Sequence, residues 1–246
     1  MHTGRVVLVT GAAGGIGSEI VDRFLNDGDS VVATDVSRDA LDRWRDRWPA
    51  DARLRAMSAD ITSGEDLGRL AATIAEQEGR LDVLIHAAGF FPIVPFEEMT
   101  EEQWRTVIDI NLTGAYLVVN AVLPLMRGRG WGRIINFGSG SVFDGTRSQT
   151  HYVAAKAGIV GFSRSLAREL GGDGITVNVV TPGLTVTQAV RDSFPAAILE
   201  AQRAGRAIPR DEVPEDLVGP VAFLASPDAD FVTGQTINVD GGKFMP

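Results

Sequence analysis

Cysteine is absent from the 246 residues of this chain. That excludes a disulfide, a thiolate nucleophile and a cysteine-based metal site. Histidine is almost absent too. His2, His86 and His151 are too few and too scattered to propose a zinc cluster, so no metal is expected. Positive charge is in deficit, with a formal net charge of −9. No basic stripe is available to neutralise phosphates, which argues against nucleic-acid binding. No signal peptide stands out, and no apolar run looks long enough to span a bilayer. The expectation is a cytoplasmic protein with a small-molecule substrate and no membrane partner.

Lysine and tyrosine are also scarce. Of 23 basic residues only Lys156 and Lys243 are lysine, and the only tyrosines are Tyr116 and Tyr152. Tyr152-Val153-Ala154-Ala155-Lys156 therefore joins two rare residue types. On a helix, residues i and i+4 share one face. An ammonium beside a phenol favours the phenolate, so Lys156 is expected to lower the Tyr152 pKa. The bland alternative is a surface lysine near a core tyrosine.

What is present is ordinary in amount: 44% hydrophobic and 22% charged residues, typical of a globular protein with a sizeable core. Short apolar runs alternate with longer helical patterns. Runs at 5–10, 30–35, 54–59, 81–87, 133–137, 176–181 and 236–240 read as strands. They are rich in Val, Ile and Leu, as expected where both faces of a parallel sheet are covered. Patterns from the first glycine turn to about residue 26, and at 39–48, 63–78, 100–126, 150–170 and 216–225, read as helices. Thr100 offers an N-cap to the fourth of these, with Glu101 and Glu102 in its first turn. Residues 184–210 read as less regular. Trp44, Trp48 and Trp104 read as packing residues. The repeated β-α order implies an α/β fold: one domain over 1–246, a doubly wound parallel sheet of Rossmann type with helices on both faces.

The first βα turn reads Thr10-Gly11-Ala12-Ala13-Gly14-Gly15-Ile16-Gly17. Glycines there allow a tight turn and close approach of backbone to a pyrophosphate, which the following helix N-terminus would attract. A glycine-rich turn alone is weak, and an ordinary βα loop is its rival. Asp35 closes the second strand about 20 residues past the glycines, where a carboxylate binds the ribose hydroxyls of NAD. Arg38 is near enough to meet a 2′-phosphate. Ser139 lies just past the fifth strand, at the end of the sheet where ligands bind, and can come to Tyr152; Ser141 competes with it.

Taken together these residues resemble the short-chain dehydrogenase/reductase family over essentially the whole chain. The shared set, in order, is the glycine turn, Asp60-Ile61, Ala87-Ala88-Gly89, Asn111-Leu112-Thr113-Gly114, Ser139, Tyr152 with Lys156, Pro182-Gly183, and the tail from Thr233-Gly234-Gln235 to Val239-Asp240-Gly241-Gly242. His86 and Ala87 stand where the family often has two asparagines, so His86 reads as ending a strand rather than catalysing. Gly138 stands where a second serine is common. The resemblance implies Tyr152 as general acid/base, Lys156 as its partner and ribose contact, Ser139 at the substrate oxygen, and Asn111 positioning a water near Lys156. It implies cofactor contacts from Gly11, Gly14, Gly15, Ile16, Gly17, Asp35, Asp60, Ile61, Ala87, Ala88, Gly89, Tyr152, Lys156, Pro182, Gly183, Thr185 and Thr187. A segment near 184–212 would cover the substrate. The family also implies a homotetramer, with the helices near 101–126 and 150–170 at its main two-fold interface.

Substrate contacts are expected from Ser139, Ser141, Phe143 and Phe91, in an apolar site with few polar groups. The stretches at 91–96 and 130–136 are similar to NAD-dependent secondary-alcohol dehydrogenases of the 1-phenylethanol type. Similar pieces occur in 3-oxoacyl-carrier-protein reductases and in pyridoxal 4-dehydrogenase. The expected function is NAD(H)-dependent interconversion of a secondary alcohol and a ketone, aromatic and cyclic ones included. The alternatives are a 3-oxoacyl thioester reductase and a non-catalytic nucleotide-binding regulator on the same fold.

Overall fold

The computed structural model describes residues 4–50 and 52–245; His2 lies outside the described residues. Seven strands form one sheet: β1 Val6–Thr10, β2 Ser30–Asp35, β3 Leu54–Ser58, β4 Val83–His86, β5 Gly132–Phe137, β6 Ile175–Pro182 and β7 Thr236–Val239. Their order is β3-β2-β1-β4-β5-β6-β7, and every neighbouring pair is parallel. The order reverses between β1 and β4, the crevice where an open α/β sheet binds its ligand.

The strand runs lack alternation because both faces are covered. Val7 and Val9 of β1 point into one core with Ile20, Phe24, Leu41 and Leu217. Val6 and Leu8 point into the other with Leu70, Ile74, Val122 and Met126. That is the period of two along a strand, with apolar residues needed at every position. Helices Gly15–Asn26, Arg38–Arg45 and Glu215–Leu224 supply the first core. Gly64–Glu78, Gly114–Met126 and Thr150–Leu170 contribute to the second.

Local chemistry sets most boundaries. Thr100 accepts the expected N-cap hydrogen bond and forms a reciprocal capping box with Gln103, and Ser37 and Ser63 cap their helices in the same way. Gly79 closes its helix in the left-handed region, at φ +70°.

Three expectations need correction. The helix over 100–126 is not uniform: Glu101–Ile108 and Gly114–Met126 are joined by a π-turn, Asp109–Thr113. The stretch Glu101–Met126 is also long enough to cross a bilayer and contains an 18-residue window apolar enough to do so, at mean hydropathy 1.5, contrary to the expectation of none. Here its buried residues Val118, Val119, Val122 and Met126 pack on the sheet. The segment expected to be irregular contains two short helices, Gln188–Ser193 and Ala196–Ala204. They close a small cluster of Leu184, Val186, Val190, Phe194 and Leu199. Trp44 and Trp48 pack as expected, whereas Trp104 is 37% exposed.

Candidate active site

A cavity of about 440 Å³ opens beyond the C-terminal ends of the strands. The glycine turn lies to one side of it. Gly11 has φ +68°, and a Cβ there would lie 2.8 Å from the Ala88 backbone. A Cβ on Gly17 would lie 2.1 Å from the Gly11 carbonyl oxygen. These two positions require glycine for space, which holds β1, β4 and the first helix in close register. Gly14 is the N-cap of that helix, and having no side chain it leaves the first-turn amides of Gly15, Ile16 and Gly17 without a side-chain acceptor. No acidic residue occupies that turn. An anion fits such a helix end, and the residues present therefore fit a dinucleotide pyrophosphate.

Asp35 is half-buried at the end of β2. Its Oδ2 accepts from the Ala13 N–H at 3.2 Å and its Oδ1 from the Ser37 N–H at 3.1 Å. The carboxylate thus leans over the glycine turn. Arg38 is turned to Asp42, with its Nε 3.0 Å from either carboxylate oxygen. Asp60 accepts from the Thr62 N–H and hydroxyl, at 2.8 and 2.7 Å, and Ile61 is buried against Gly114. Ala87, Ala88 and Gly89 follow β4, and the Ala88 N–H donates to Thr10 Oγ1 at 3.2 Å.

Asn111 sits in the π-turn, a distortion that recurs at functional sites. Its Nδ2 donates to the Phe90 and Val107 carbonyls at 2.7 and 3.0 Å, and its Oδ1 accepts from the Phe90 N–H at 3.2 Å. A Cβ on Gly89 would lie 3.0 Å from Asn111 Oδ1 and 3.4 Å from Lys156 Nζ, so Asn111 and Lys156 flank one backbone point.

Tyr152 and Lys156 share a face of Thr150–Leu170, with the ammonium 5.7 Å from the phenol ring centroid. Lys156 is buried and donates to the Phe137 carbonyl at 2.9 Å. Burial pushes its ammonium down to about 8. Burial also pushes the Tyr152 phenol up to about 12, partly opposed by a hydrogen bond with Ser139. This corrects the expected downward shift: loss of hydration outweighs the Ser139 hydrogen bond. Ser139 also accepts from Ser141, at 3.2 Å from its N–H and 2.8 Å from its hydroxyl. Ser139 is therefore the serine at Tyr152, and Ser141 supports it. His86 ends β4, fully buried, with its Nδ1 3.0 Å from Thr10 Oγ1. Burial and the Lys156 charge hold it down to about 3, so it is neutral and structural.

Pro182 and Gly183 leave β6 at the cavity wall. The Thr185 hydroxyl donates to Glu212 at 2.7 Å, and Thr187 Oγ1 caps the next helix at the Val190 N–H. A Cβ on Gly15 would lie 2.6 Å from the Thr187 methyl, so this loop faces the glycine turn. Phe91 meets Tyr152 edge-on at 6.3 Å, and Phe143 meets Phe244 at the same separation. Leu184, Phe194, Ile198 and Gln202, from the 184–212 segment, also line the cavity.

Several site residues carried no sequence signal. Gln202, Lys243 and Phe244 line the cavity from distant parts of the chain, and Gln149 from the N-cap of the Tyr152 helix. Glu212 is buried behind it and held by Thr185 and Arg206. Burial pushes its carboxyl up to about 7 against those partners.

A family described as enoyl-(acyl carrier protein) reductase matches residues 11–243. The 3-oxoacyl-[acyl-carrier-protein] reductase of Vibrio cholerae serotype O1 is 36% identical, covering 98% of both chains. The acetoacetyl-CoA reductase of Allochromatium vinosum is 35% identical over 98% of this chain and 99% of its own. A solved short-chain dehydrogenase/reductase from Brucella melitensis, named glucose/ribitol dehydrogenase, superposes with a TM-score of 0.94 at 32% identity. It covers 99% of this chain and 98% of its own. The first two of these are named as reductases of 3-oxoacyl-[acyl-carrier-protein] and acetoacetyl-CoA, not as the 1-phenylethanol type expected from the short stretches.

Proposed function

The chain belongs to the short-chain dehydrogenase/reductase family, and from that premise we propose that it interconverts a 3-oxoacyl and a 3-hydroxyacyl compound with NAD(H). The observation that carries the reading is the meeting of Ser139, Tyr152 and Lys156 in one apolar-walled cavity beside the glycine turn. Bound nicotinamide would supply or accept the hydride at the substrate carbon. The protein's part is the oxygen. A phenol pushed up to about 12 keeps its proton at neutral pH and can give it to the oxygen as the new C–H bond forms. Ser139 steadies that oxygen by hydrogen bonding. Lys156, below its value of about 8, keeps a positive charge behind the phenolate that proton transfer leaves. Asn111 adjoins Lys156 and would order a water there for the return of the proton.

The names of the relatives favour the 3-oxoacyl substrate. A free aromatic or cyclic secondary alcohol is the second reading, favoured by Phe91, Phe143, Phe194 and Phe244 around the cavity. Asp35 supports NAD over NADP in either case. A non-catalytic regulator is disfavoured by the intact proton-transfer set. The homotetramer reading is supported by exposed Trp104 and Tyr116, at 37% and 53%, on the helices Glu101–Ile108 and Gly114–Met126.

The test is a panel of an acetoacetyl thioester and an aryl methyl ketone, each with NADH and with NADPH, read by cofactor absorbance. The thioester with NADH should give the highest kcat/KM. A higher value for the aryl ketone would move the second reading to first place. No turnover of either would leave the regulator.

A further inference from the structure

Both lysines of this arginine-rich chain line the same cavity. Lys156 is explained by Tyr152. Lys243 has no part in the proton transfer, yet it is held in place. Asp240, 2% exposed, accepts from the N–H groups of Gly242, Lys243 and Phe244 at 2.9, 3.0 and 2.9 Å. The tail is thereby pinned across the cavity. The Lys243 side chain is 21% exposed, and its ammonium lies 4.9 Å from the Phe244 ring centroid. One of its three donors goes to Gln202 Oε1, at 2.7 Å, on the helix Ala196–Ala204. Its other polar neighbour, Asp144 Oδ2, is 3.9 Å away, beyond hydrogen-bond reach. Asp144 is itself engaged by the Thr146 hydroxyl at 2.7 Å. Two donors of a partly desolvated ammonium therefore remain unspent. Arg147 lines the same cavity from the loop before Thr150–Leu170, and it makes no ion pair or hydrogen bond with the described residues. The cavity rim thus holds two cations against one carboxylate.

We infer that Lys243, with Arg147, binds an anionic oxygen group of the substrate remote from the reacting carbonyl, and so sets substrate preference. The inference rests on the carbonyl-reductase reading. A compact charge with rotatable donors suits a carboxylate or phosphate oxygen approaching from the cavity. That anion is either the free carboxylate of a small oxo acid or the phosphate of a coenzyme A arm.

Acetoacetate, methyl acetoacetate and acetoacetyl-CoA, each with NADH, separate these sources. The parent should prefer at least one anionic compound over the neutral ester. Lys243→Gln should cut that ratio of kcat/KM about tenfold or more, mainly through KM, as loss of a charged hydrogen bond does. A drop on acetoacetate identifies a carboxylate; a drop confined to the CoA thioester identifies a phosphate. Arg147→Gln should act in the same direction. A strut that merely ties the tail to Gln202 would lower all three substrates by one factor, and an unchanged ratio would overturn the inference. If the parent turns over none of the three, the functional reading fails instead. The inference is then decided by titrating acetoacetate and CoA into the enzyme with NAD+, where Lys243→Gln must weaken at least one of them about tenfold.

Discussion

Asp35→Ser should shift cofactor preference toward NADPH. The Asp35 carboxylate is tied by two amides, Ala13 and Ser37, so it cannot swing away without losing both. A 2′-phosphate placed there meets a fixed like charge. Two unit charges at ~4 Å repel by about 1 kcal/mol in bulk water and about 4 kcal/mol at an effective dielectric of 20. The half-buried crevice lies between these limits. Since 1.4 kcal/mol is tenfold, the parent should favour NADH by roughly ten- to a thousandfold in kcat/KM. Arg38, the cation closest in sequence, is spent on Asp42 and offsets little of this. In Asp35→Ser the repulsion goes, so the ratio should fall about tenfold or more. The assay is kcat/KM for both cofactors with one ketone at fixed salt. Equal parent values, or a parent preference for NADPH, would refute the argument.

Gly17→Ala should destabilise the fold by about 1–3 kcal/mol or more, because its Cβ meets the Gly11 carbonyl at 2.1 Å and backbone must move; a parent-like unfolding midpoint and NADH affinity would contradict the turn geometry. Glu212 makes stability depend on pH. Its native carboxyl is raised to about 7 from 4.5, so its contribution is fullest below 4.5 and is lost as pH rises through 7. Melting temperature should therefore fall from pH 5 to 8, with a flatter slope in Glu212→Gln, and identical slopes would show that Glu212 is not the titrating group. Lys156→Arg keeps charge but not shape; kcat should drop about a hundredfold or more, and near-parent kcat would mean that charge alone suffices.

Much of this molecule can be read from its residues, for physical reasons. The strand runs need apolar residues on both faces, so their composition gives the sheet and its parallel sense. The rare Tyr152 and Lys156 and the crowded Gly11 and Gly17 mark the site because few other residues could stand there. The π-turn around Asn111 was not legible, since one inserted residue leaves the apolar periodicity almost unchanged. The helices Gln188–Ser193 and Ala196–Ala204 were hidden by Pro195, which separates them into segments too short for a clear period. Lys243, Gln202 and Glu212 reach the site only through the tertiary fold. The upward shift of Tyr152 follows from burial, which neighbours in sequence do not report.

The most direct test of the proton-transfer account is Tyr152→Phe. Removing the hydroxyl should lower kcat by about a hundred- to ten-thousandfold, the usual worth of a positioned general acid. NADH affinity, measured by fluorescence titration, should change only a few-fold, because the glycine turn and Asp35 are untouched. Turnover within tenfold of the parent, with NADH bound normally, would show that Tyr152 does not supply the proton.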